Sequence, residues 1–191
     1  MTTPKILAFS GSARKDSYNT RLVQVAVQGA RDAGGEVTLL DLNDYPLPIF
    51  NEDLEADGTP ENATKLKQLF ITHDGLLISS PEYNSSITPL LKNVIDWVSR
   101  RAPGEEPLAA YQNKYAVLMA ASPGALGGLR GLVHVRDILG NIGVTVLPQQ
   151  IAISQAMHAF KETGELQDEE KHQRVRDLGA RLARLLKAIH D

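Results

Sequence analysis

The chain of 191 residues contains no cysteine, a single tryptophan and few aromatic side chains. The absence of cysteine excludes disulfides, thiolate metal sites and cysteine nucleophiles, and it is consistent with a reducing compartment. The sequence also has no basic run longer than Arg100–Arg101. Because binding to nucleic-acid phosphates needs a basic stripe, no nucleic-acid partner is predicted.

Long apolar runs and targeting signals are missing as well. No apolar run approaches the ~20 residues that span a bilayer, and residues 1–5 lack the charged-then-apolar layout of a signal peptide. We therefore expect a cytoplasmic protein with no membrane partner. No pair of histidines has carboxylate partners at metal-ligand spacing, so no metal site is predicted; the five are His73, His134, His158, His172 and His190.

Short apolar runs alternate with longer amphipathic ones, which is typical of βαβ units on a parallel sheet. Strands are predicted at residues 6–9, 37–42, 75–79, 115–121 and 144–147, the last resuming at 151–153. Helices are predicted at residues 21–33, from an N-cap at Thr59 onward, and at 89–98, 129–142 and 169–189. The stretch 43–58 has no apolar period and is predicted to be a long loop.

The last helix is expected to bury one stripe, formed by Val175, Leu178, Leu182, Leu185 and Ile189. This pattern predicts a single domain over residues 1–191, with an α/β fold. Its core is a doubly wound five-stranded parallel sheet with helices on both faces. Such sheets bind ligands beyond the carboxyl ends of their strands, which directs attention to the loops after strands one, three and four.

The loop after the first predicted strand is crowded with hydroxyl groups and leads into a helix start. A helix start offers unpaired N–H groups and a partial positive charge, so an anion is its natural ligand. Arg14 adds a guanidinium fork that suits phosphate. The other candidate donors are the side chains of Ser10, Ser12, Ser17, Asn19 and Thr20.

Two better-known phosphate loops are excluded by the sequence of this segment. A Walker loop is excluded because Lys15 is followed by Asp16, and a dinucleotide fingerprint is excluded because Gly11 is the only glycine. A terminal phosphate is therefore the predicted ligand. Helix capping by one hydroxyl is the alternative.

The loop after the third predicted strand, residues 80–86, begins with a stiffening proline at Pro81. Tyr83 offers a flat face and a hydroxyl, and Asn84 offers both a donor and an acceptor. These groups suit a planar heteroaromatic ring with mixed polar edges. A capped turn with an exposed tyrosine is the alternative.

The loop after the fourth predicted strand is rich in glycine, at Gly124, Gly127 and Gly128. Glycines let backbone N–H groups approach a ligand closely, and such amides can face a ring edge that gathers negative charge. A glycine-rich turn without function is the alternative.

Together the three loops resemble those of the NADPH-dependent FMN reductase family, which includes bacterial quinone, azo-dye and chromate reductases. The similarity is carried by GSARKDSYNTRL at residues 11–22, SPEYNSSITPLLKNVIDW at 80–97 and SPGALGGLRG at 122–131, and it extends from about residue 5 to 188. It implies a flavodoxin-like fold. Asp16 departs from the family pattern, where a small residue is more common.

The resemblance also implies the site residues. The FMN phosphate would be held by Ser10, Ser12, Arg14, Ser17, Asn19 and Thr20. The isoalloxazine would be edged by Pro81, Glu82, Tyr83 and Asn84, and its other side would be closed by Ser122, Gly124, Gly127 and Gly128.

The implied activity is an FMN-dependent oxidoreductase in which no side chain is catalytic. It would pass hydride from NADPH (or NADH) through bound FMN to quinones, azo compounds, free flavin or metal oxyanions by a ping-pong mechanism, as a homodimer or homotetramer. The alternatives are a flavodoxin-type electron carrier and a flavin-free interaction protein. Such carriers are usually strongly acidic, and the formal charge of −3 argues against one. The residues leave open the physiological acceptor and the preferred nicotinamide.

Overall fold

Five parallel strands form the centre of the molecule, which the computed structural model describes from residue 2 to residue 190. The strands are Lys5–Ser10 (β1), Glu36–Leu40 (β2), Gly75–Ser79 (β3), Tyr115–Ala121 (β4) and Thr145–Ile153 (β5). They lie in the order β2-β1-β3-β4-β5. The winding direction therefore changes between β1 and β3, which confirms the predicted doubly wound sheet.

Helices cover both faces of this sheet, as predicted. They are Tyr18–Asp32 (α1), Glu52–Ala56 (α2), Glu61–Ile71 (α3), Pro89–Val98 (α4), Leu129–Asn141 (α5) and Glu169–His190 (α6). Along β1, Ile6 and Ala8 pack in the core beneath α1 and α6, whereas Leu7 and Phe9 pack in the core beneath α3, α4 and α5. Both faces of the strand are thus buried, which explains its continuous apolar sequence.

The stretch 43–58 differs from the long loop that was predicted. It contains the short helix α2, which follows a 3-10 turn at Leu42–Asp44. Asn51 caps α2 through its side chain, which accepts a hydrogen bond from the backbone N–H of Asp53. No residue of α2 is buried, so the helix leaves no apolar period in the sequence.

Two predicted helix starts were also misplaced. Helix α1 begins at Tyr18 rather than residue 21, because Ser17 caps it. Helix α3 has its N-cap at Pro60 rather than Thr59, without a side-chain capping bond.

The carboxyl-terminal elements needed two corrections. Strand β5 is continuous instead of interrupted, because a bulge takes up the extra residues: Val146 pairs with Ala116, and Gln150 then pairs with Leu118. The buried stripe of α6 ends on Leu186, whereas Leu185 and Ile189 were predicted to end it. Ile189 is 47% exposed.

Helices α1 and α6 pack with their backbones in direct contact. A side chain at Gly29 would overlap the backbone of Arg176, and one at Gly179 would overlap the backbone of Ala26. The ion pair between Arg176 and Asp32 fastens the same two helices at their surface. Helix α1 is therefore held in place by the last helix of the fold.

Candidate functional site

The three loops singled out in the sequence meet at the carboxyl edge of the sheet. Ser10 and Ser79 end the adjacent strands β1 and β3, and Ala121 ends β4 beside them. Gly11 donates a backbone hydrogen bond to Ser79, at 2.9 Å between nitrogen and oxygen. The loops thus surround the point where the winding of the sheet reverses, where this class of fold binds ligands.

The first loop leads into the start of α1, whose first N–H groups have no partner within the helix. Ser17 caps α1 by accepting a hydrogen bond from the backbone nitrogen of Asn19 at 3.2 Å, and the first turn contains no acidic residue. Thr20 is half-buried in this turn. Asp16 is exposed, so its carboxylate is not held inside the loop.

Arg14 lies over the ring of Tyr18, with 4.9 Å between the guanidinium carbon and the ring centroid. The ring of Phe160 also stacks on Tyr18, nearly parallel to it at a centroid distance of 6.0 Å. A guanidinium against an aromatic face keeps its donors free at the ring's edge. This stack holds a positive charge beside the open start of α1.

The first loop also contains buried hydroxyl groups. The Oγ of Ser10 is buried and has no hydrogen-bond partner within residues 2–190. Ser12 is buried as well, and its Oγ accepts from the backbone nitrogen of Arg14 at 3.3 Å, which leaves its proton to be donated. Donors in excess, with one unpartnered buried hydroxyl among them, fit a ligand that supplies only acceptors, such as a phosphate.

Asn19, by contrast, uses its side chain within the protein. Its Oδ1 accepts hydrogen bonds from Ser79 Oγ at 3.0 Å and from the backbone nitrogen of Ala121 at 2.9 Å. Its Nδ2 donates to the carbonyl oxygen of Ala121 at 2.8 Å. The side chain is buried and joins the first loop to the ends of β3 and β4.

The second loop is a tight turn that exposes its tyrosine. Tyr83 and Ser86 exchange two backbone hydrogen bonds, each 3.0 Å long. Between them, Asn84 and Ser85 both have positive φ angles, 49° and 67°, as a type I′ turn requires. Asparagine tolerates this conformation, but serine adopts it only with strain. Tyr83 is 51% exposed, and its ring is free to contact a ligand.

Glu82 fastens the second loop to the start of α5. Its carboxylate accepts from the backbone nitrogens of Arg130 and Gly131, at 3.0 and 3.1 Å, and from the guanidinium of Arg130. Burial alone raises the pKa of this carboxyl, but the hydrogen bonds from Arg130 and Gly131 outweigh it and hold the pKa below its ordinary value. The side chain of Glu82 therefore orients the loop, while the half-buried Pro81 leads into it.

The glycines of the third loop divide into two kinds. A side chain at Gly127 would lie 2.7 Å from the backbone of Ile153 and Ser154, and one at Gly128 would lie 2.8 Å from Ala120. These two glycines let the loop pack onto β4 and β5. Gly124 has space around it, the nearest atom being the Oγ of Ser122 at 3.8 Å, so its backbone is open to a ligand.

A fourth segment, residues 154–168, supports the other loops and was missed in the sequence. The backbone nitrogens of Gln155 and Ala156 donate to carbonyls of the third loop, and Phe160 stacks on Tyr18 of the first. Gln155 has a positive φ of 48°, which no sequence pattern indicated. The sequence offered one signal for a packed segment here, which was Phe160, one of only four phenylalanines in the chain.

Thr88 is a second position whose role was missed. Its hydroxyl donates to the carbonyl oxygen of Gly11 at 2.6 Å and accepts from the backbone nitrogen of Leu91 at 3.2 Å. It thus caps α4 and ties that helix to the first loop. The threonine–proline pair before an apolar helix was the signal for the cap.

Comparison with known proteins identifies the family of this chain. The profile described as NADPH-dependent FMN reductase matches residues 4–158. The chain belongs to this family. An NAD(P)H-dependent FMN reductase of Pseudomonas aeruginosa is 36% identical over 172 residues, which cover 90% of this chain and 89% of the relative. An NAD(P)H:quinone oxidoreductase of Solanum tuberosum is 35% identical over 90% of this chain and 87% of its own length.

Solved structures agree with this family assignment. FerB, a flavoenzyme NAD(P)H:(acceptor) oxidoreductase from Paracoccus denitrificans, superimposes with a TM-score of 0.81 at 28% identity, covering 97% of this chain and 98% of FerB. The flavodoxin-like fold, the oxidoreductase class, and the use of flavin and nicotinamide cofactors are thereby confirmed. No helix within residues 2–190 is both long and apolar enough to cross a bilayer.

Proposed function

We propose that this protein is an NAD(P)H oxidoreductase that holds FMN in the three loops and reduces a small molecule, such as a quinone. The observation that carries the proposal is the cluster of hydroxyl and guanidinium donors in the first loop, with the unpartnered hydroxyl of Ser10 among them, beside the exposed second and third loops. The alternative function, a flavodoxin-type electron carrier, has no comparable support. An archaeal flavodoxin is similar to this chain at only 12% identity, and a likeness at that level extends to the fold alone.

The residues divide by the part of FMN that they would hold. Around the phosphate we place Ser10, Ser12, Arg14, Ser17 and Thr20, with the helix start supplying further N–H donors. Along the ring we place the backbone of Pro81 to Asn84, with Tyr83 at its exposed edge. Ser122 and Gly124 face the ring from the third loop, while Gly127 and Gly128 give that loop its shape. Asn19 and Glu82 orient the loops.

FMN, when bound, supplies the two-electron redox chemistry of the reaction. The chain's task is to orient the ring and to leave one face of it open. Tyr83 is exposed and Gly124 has space around it, so we expect an open site that admits acceptors of several shapes. Nicotinamide and acceptor then occupy the same open face in turn, which is a ping-pong order. Quinones are the favoured acceptors because relatives are named for them.

The whole chain is proposed to act as a single domain that pairs with a second copy. A groove of about 460 Å³ lies beside α4. One part of its lining is apolar, formed by Leu47, Ile49, Phe50, Pro89 and Leu90, and the rest is polar, formed by Lys92, Asn93 and Asp96. Ile49 is 85% exposed there, and Pro89 follows the second loop by three residues. A second copy seated on this groove would border the flavin loops. We place the enzyme in the cytoplasm, where NADPH is kept reduced.

The visible spectrum of the protein, reconstituted with FMN and mixed with NADPH without oxygen, tests this function. We expect a bound-flavin spectrum that bleaches promptly and recovers when a small quinone is added. Bound flavin that stays yellow would instead support the carrier function. A protein that binds no FMN would overturn the proposal.

A further inference from the structure

The side chain of Asn19 occupies a place where a β-strand has ended. Ser80 donates its backbone N–H to the carbonyl of Met119, which is the last backbone bond between β3 and β4. Along a strand, every second residue directs its N–H and C=O to the same neighbour. The N–H and C=O of Ala121 therefore point to where β3 would have continued.

Strand β3 does not continue there, because the chain turns away at Pro81 into the second loop. The amide of Asn19 takes its place and bonds both the N–H and the C=O of Ala121, at 2.9 and 2.8 Å. It also accepts from Ser79, the last residue of β3. One side chain from the first loop thus fixes the residues from which the second and third loops depart.

This bonding leaves Asn19 poorly suited to hold a phosphate. Its oxygen already accepts two hydrogen bonds, and an oxygen has nothing to donate to an anion. One of its two N–H groups is used, and the side chain is buried beneath the loops. Beside it, the hydroxyl of Ser12 still has its proton to donate, and Arg14 is exposed.

We propose that Asn19 is a positioning residue that couples the phosphate loop to the two ring loops, rather than a ligand of the phosphate. The inference rests on the proposed FMN-binding function. It predicts that the loss of Asn19 weakens the binding of the ring as much as that of the phosphate, because all three loops lose their common anchor.

Riboflavin distinguishes the two roles, because it has the ring of FMN but no phosphate. We would titrate wild type, Arg14→Gln, Asn19→Ala and Ser79→Ala with FMN and with riboflavin. Arg14→Gln is expected to weaken FMN alone, since it removes only a phosphate contact. Asn19→Ala is expected to weaken both flavins by about tenfold or more, since it removes three buried hydrogen bonds.

Ser79→Ala is the conservative companion to Asn19→Ala. Ser79 is fully buried and has no access to a ligand, yet it donates one of the three bonds to Asn19. Its loss is expected to weaken both flavins by about fivefold. Thermal unfolding of each variant without flavin shows whether that variant is folded. If Asn19→Ala does not fold, Ser79→Ala still tests the inference.

The midpoint potential of the bound flavin is a second measurement. Because it is taken at saturating flavin, it does not depend on the stability of the protein. We expect a shift in Asn19→Ala or Ser79→Ala, because the third loop changes its distance from the ring. A variant of Asn19 that weakens FMN but leaves riboflavin affinity and potential unchanged would overturn the inference. Wild-type protein that binds neither flavin would overturn the proposed function itself, which keeps the two failures apart.

Discussion

Glu82 holds Arg130 by its side chain and its backbone together. One carboxylate oxygen accepts from Nε of the guanidinium at 2.8 Å, and the other accepts from the backbone nitrogen at 3.0 Å. The side chain of Glu82 is 8% exposed, whereas that of Arg130 is 57% exposed. The buried side chain of Glu82 therefore fixes the second loop to α5, while the guanidinium of Arg130 faces solvent.

This contact predicts a specific dependence of stability on pH. The folded-state pKa of Glu82 is depressed, so the stability it contributes is complete above the ordinary value of 4.5 and is lost as the pH falls through the lower folded value. We expect Glu82→Gln to be less stable than wild type by about 1 kcal/mol at neutral pH. We expect this difference to shrink as the pH falls below 4.5.

Urea unfolding between pH 3 and 7 measures this difference. Glu36→Gln, which alters an exposed carboxylate at the start of β2, on the opposite edge of the sheet from the site, serves as the control and should follow wild type throughout. A pH-independent cost of Glu82→Gln would contradict the assignment.

Ser85 lies in a left-handed conformation that glycine adopts without strain. Replacing it by glycine removes about 1–2 kcal/mol of steric cost but adds about 0.5–1 kcal/mol of chain entropy to the unfolded state. We expect Ser85→Gly to raise the free energy of unfolding by about 0.5 kcal/mol. Ser85→Ala keeps the side-chain carbon and should give no gain. A destabilised glycine variant would show that the serine is held by contacts worth more than the strain.

Gly127 and Gly124 are predicted to respond to alanine in opposite ways. At Gly127, φ is 63° and a side chain would meet the backbone of β5, so Gly127→Ala should cost about 2 kcal/mol or more in stability. Gly124→Ala has room and should keep wild-type stability while lowering FMN affinity. Calorimetry with a flavin titration separates the two effects. Equal stability of the two variants would refute this division of the loop.

Tyr111 has a buried hydroxyl with no hydrogen-bond partner within residues 2–190, and burial raises its pKa far above the ordinary range. An unpartnered buried hydroxyl costs about 1–3 kcal/mol. Tyr111→Phe should therefore be as stable as wild type or more so in chemical denaturation. Tyr115→Phe, at a half-buried ring, is the matched control and should change little. A marked loss in Tyr111→Phe would reveal an unrecognised partner.

Ile49 is predicted to hold two copies together. Ile49→Asp places a charge on the apolar part of the groove beside α4, and sedimentation velocity should then detect a smaller species than the wild type forms. Ile189→Asp alters another exposed aliphatic residue, on α6, and should leave the mass unchanged. A wild-type chain that sediments as a monomer would contradict the pairing.

The sequence was most informative where a residue's role depended on its near neighbours. Strand β1 and helix α4 were predictable because their apolar residues follow the period of a buried element. Helix α2 was not, because it buries nothing. In the site, Ser17 was identifiable as a polar group at a helix start, but the bonding of Asn19 depends on Ala121, 102 residues away. No local pattern indicates a side chain that substitutes for a missing strand.

The close contact of α1 with α6 also bears on the order of events during synthesis. Helix α1 follows the first loop, and its backbone at Ala26 and Gly29 packs on α6 at Gly179 and Arg176. This packing can form only after the residues of α6 have left the ribosome. Until then, a nascent chain carries the loop sequences for FMN without the support that fixes them. We therefore expect the site to assemble only after α6 has been synthesised, and we expect a chain truncated before α6 to bind FMN more weakly than the full chain.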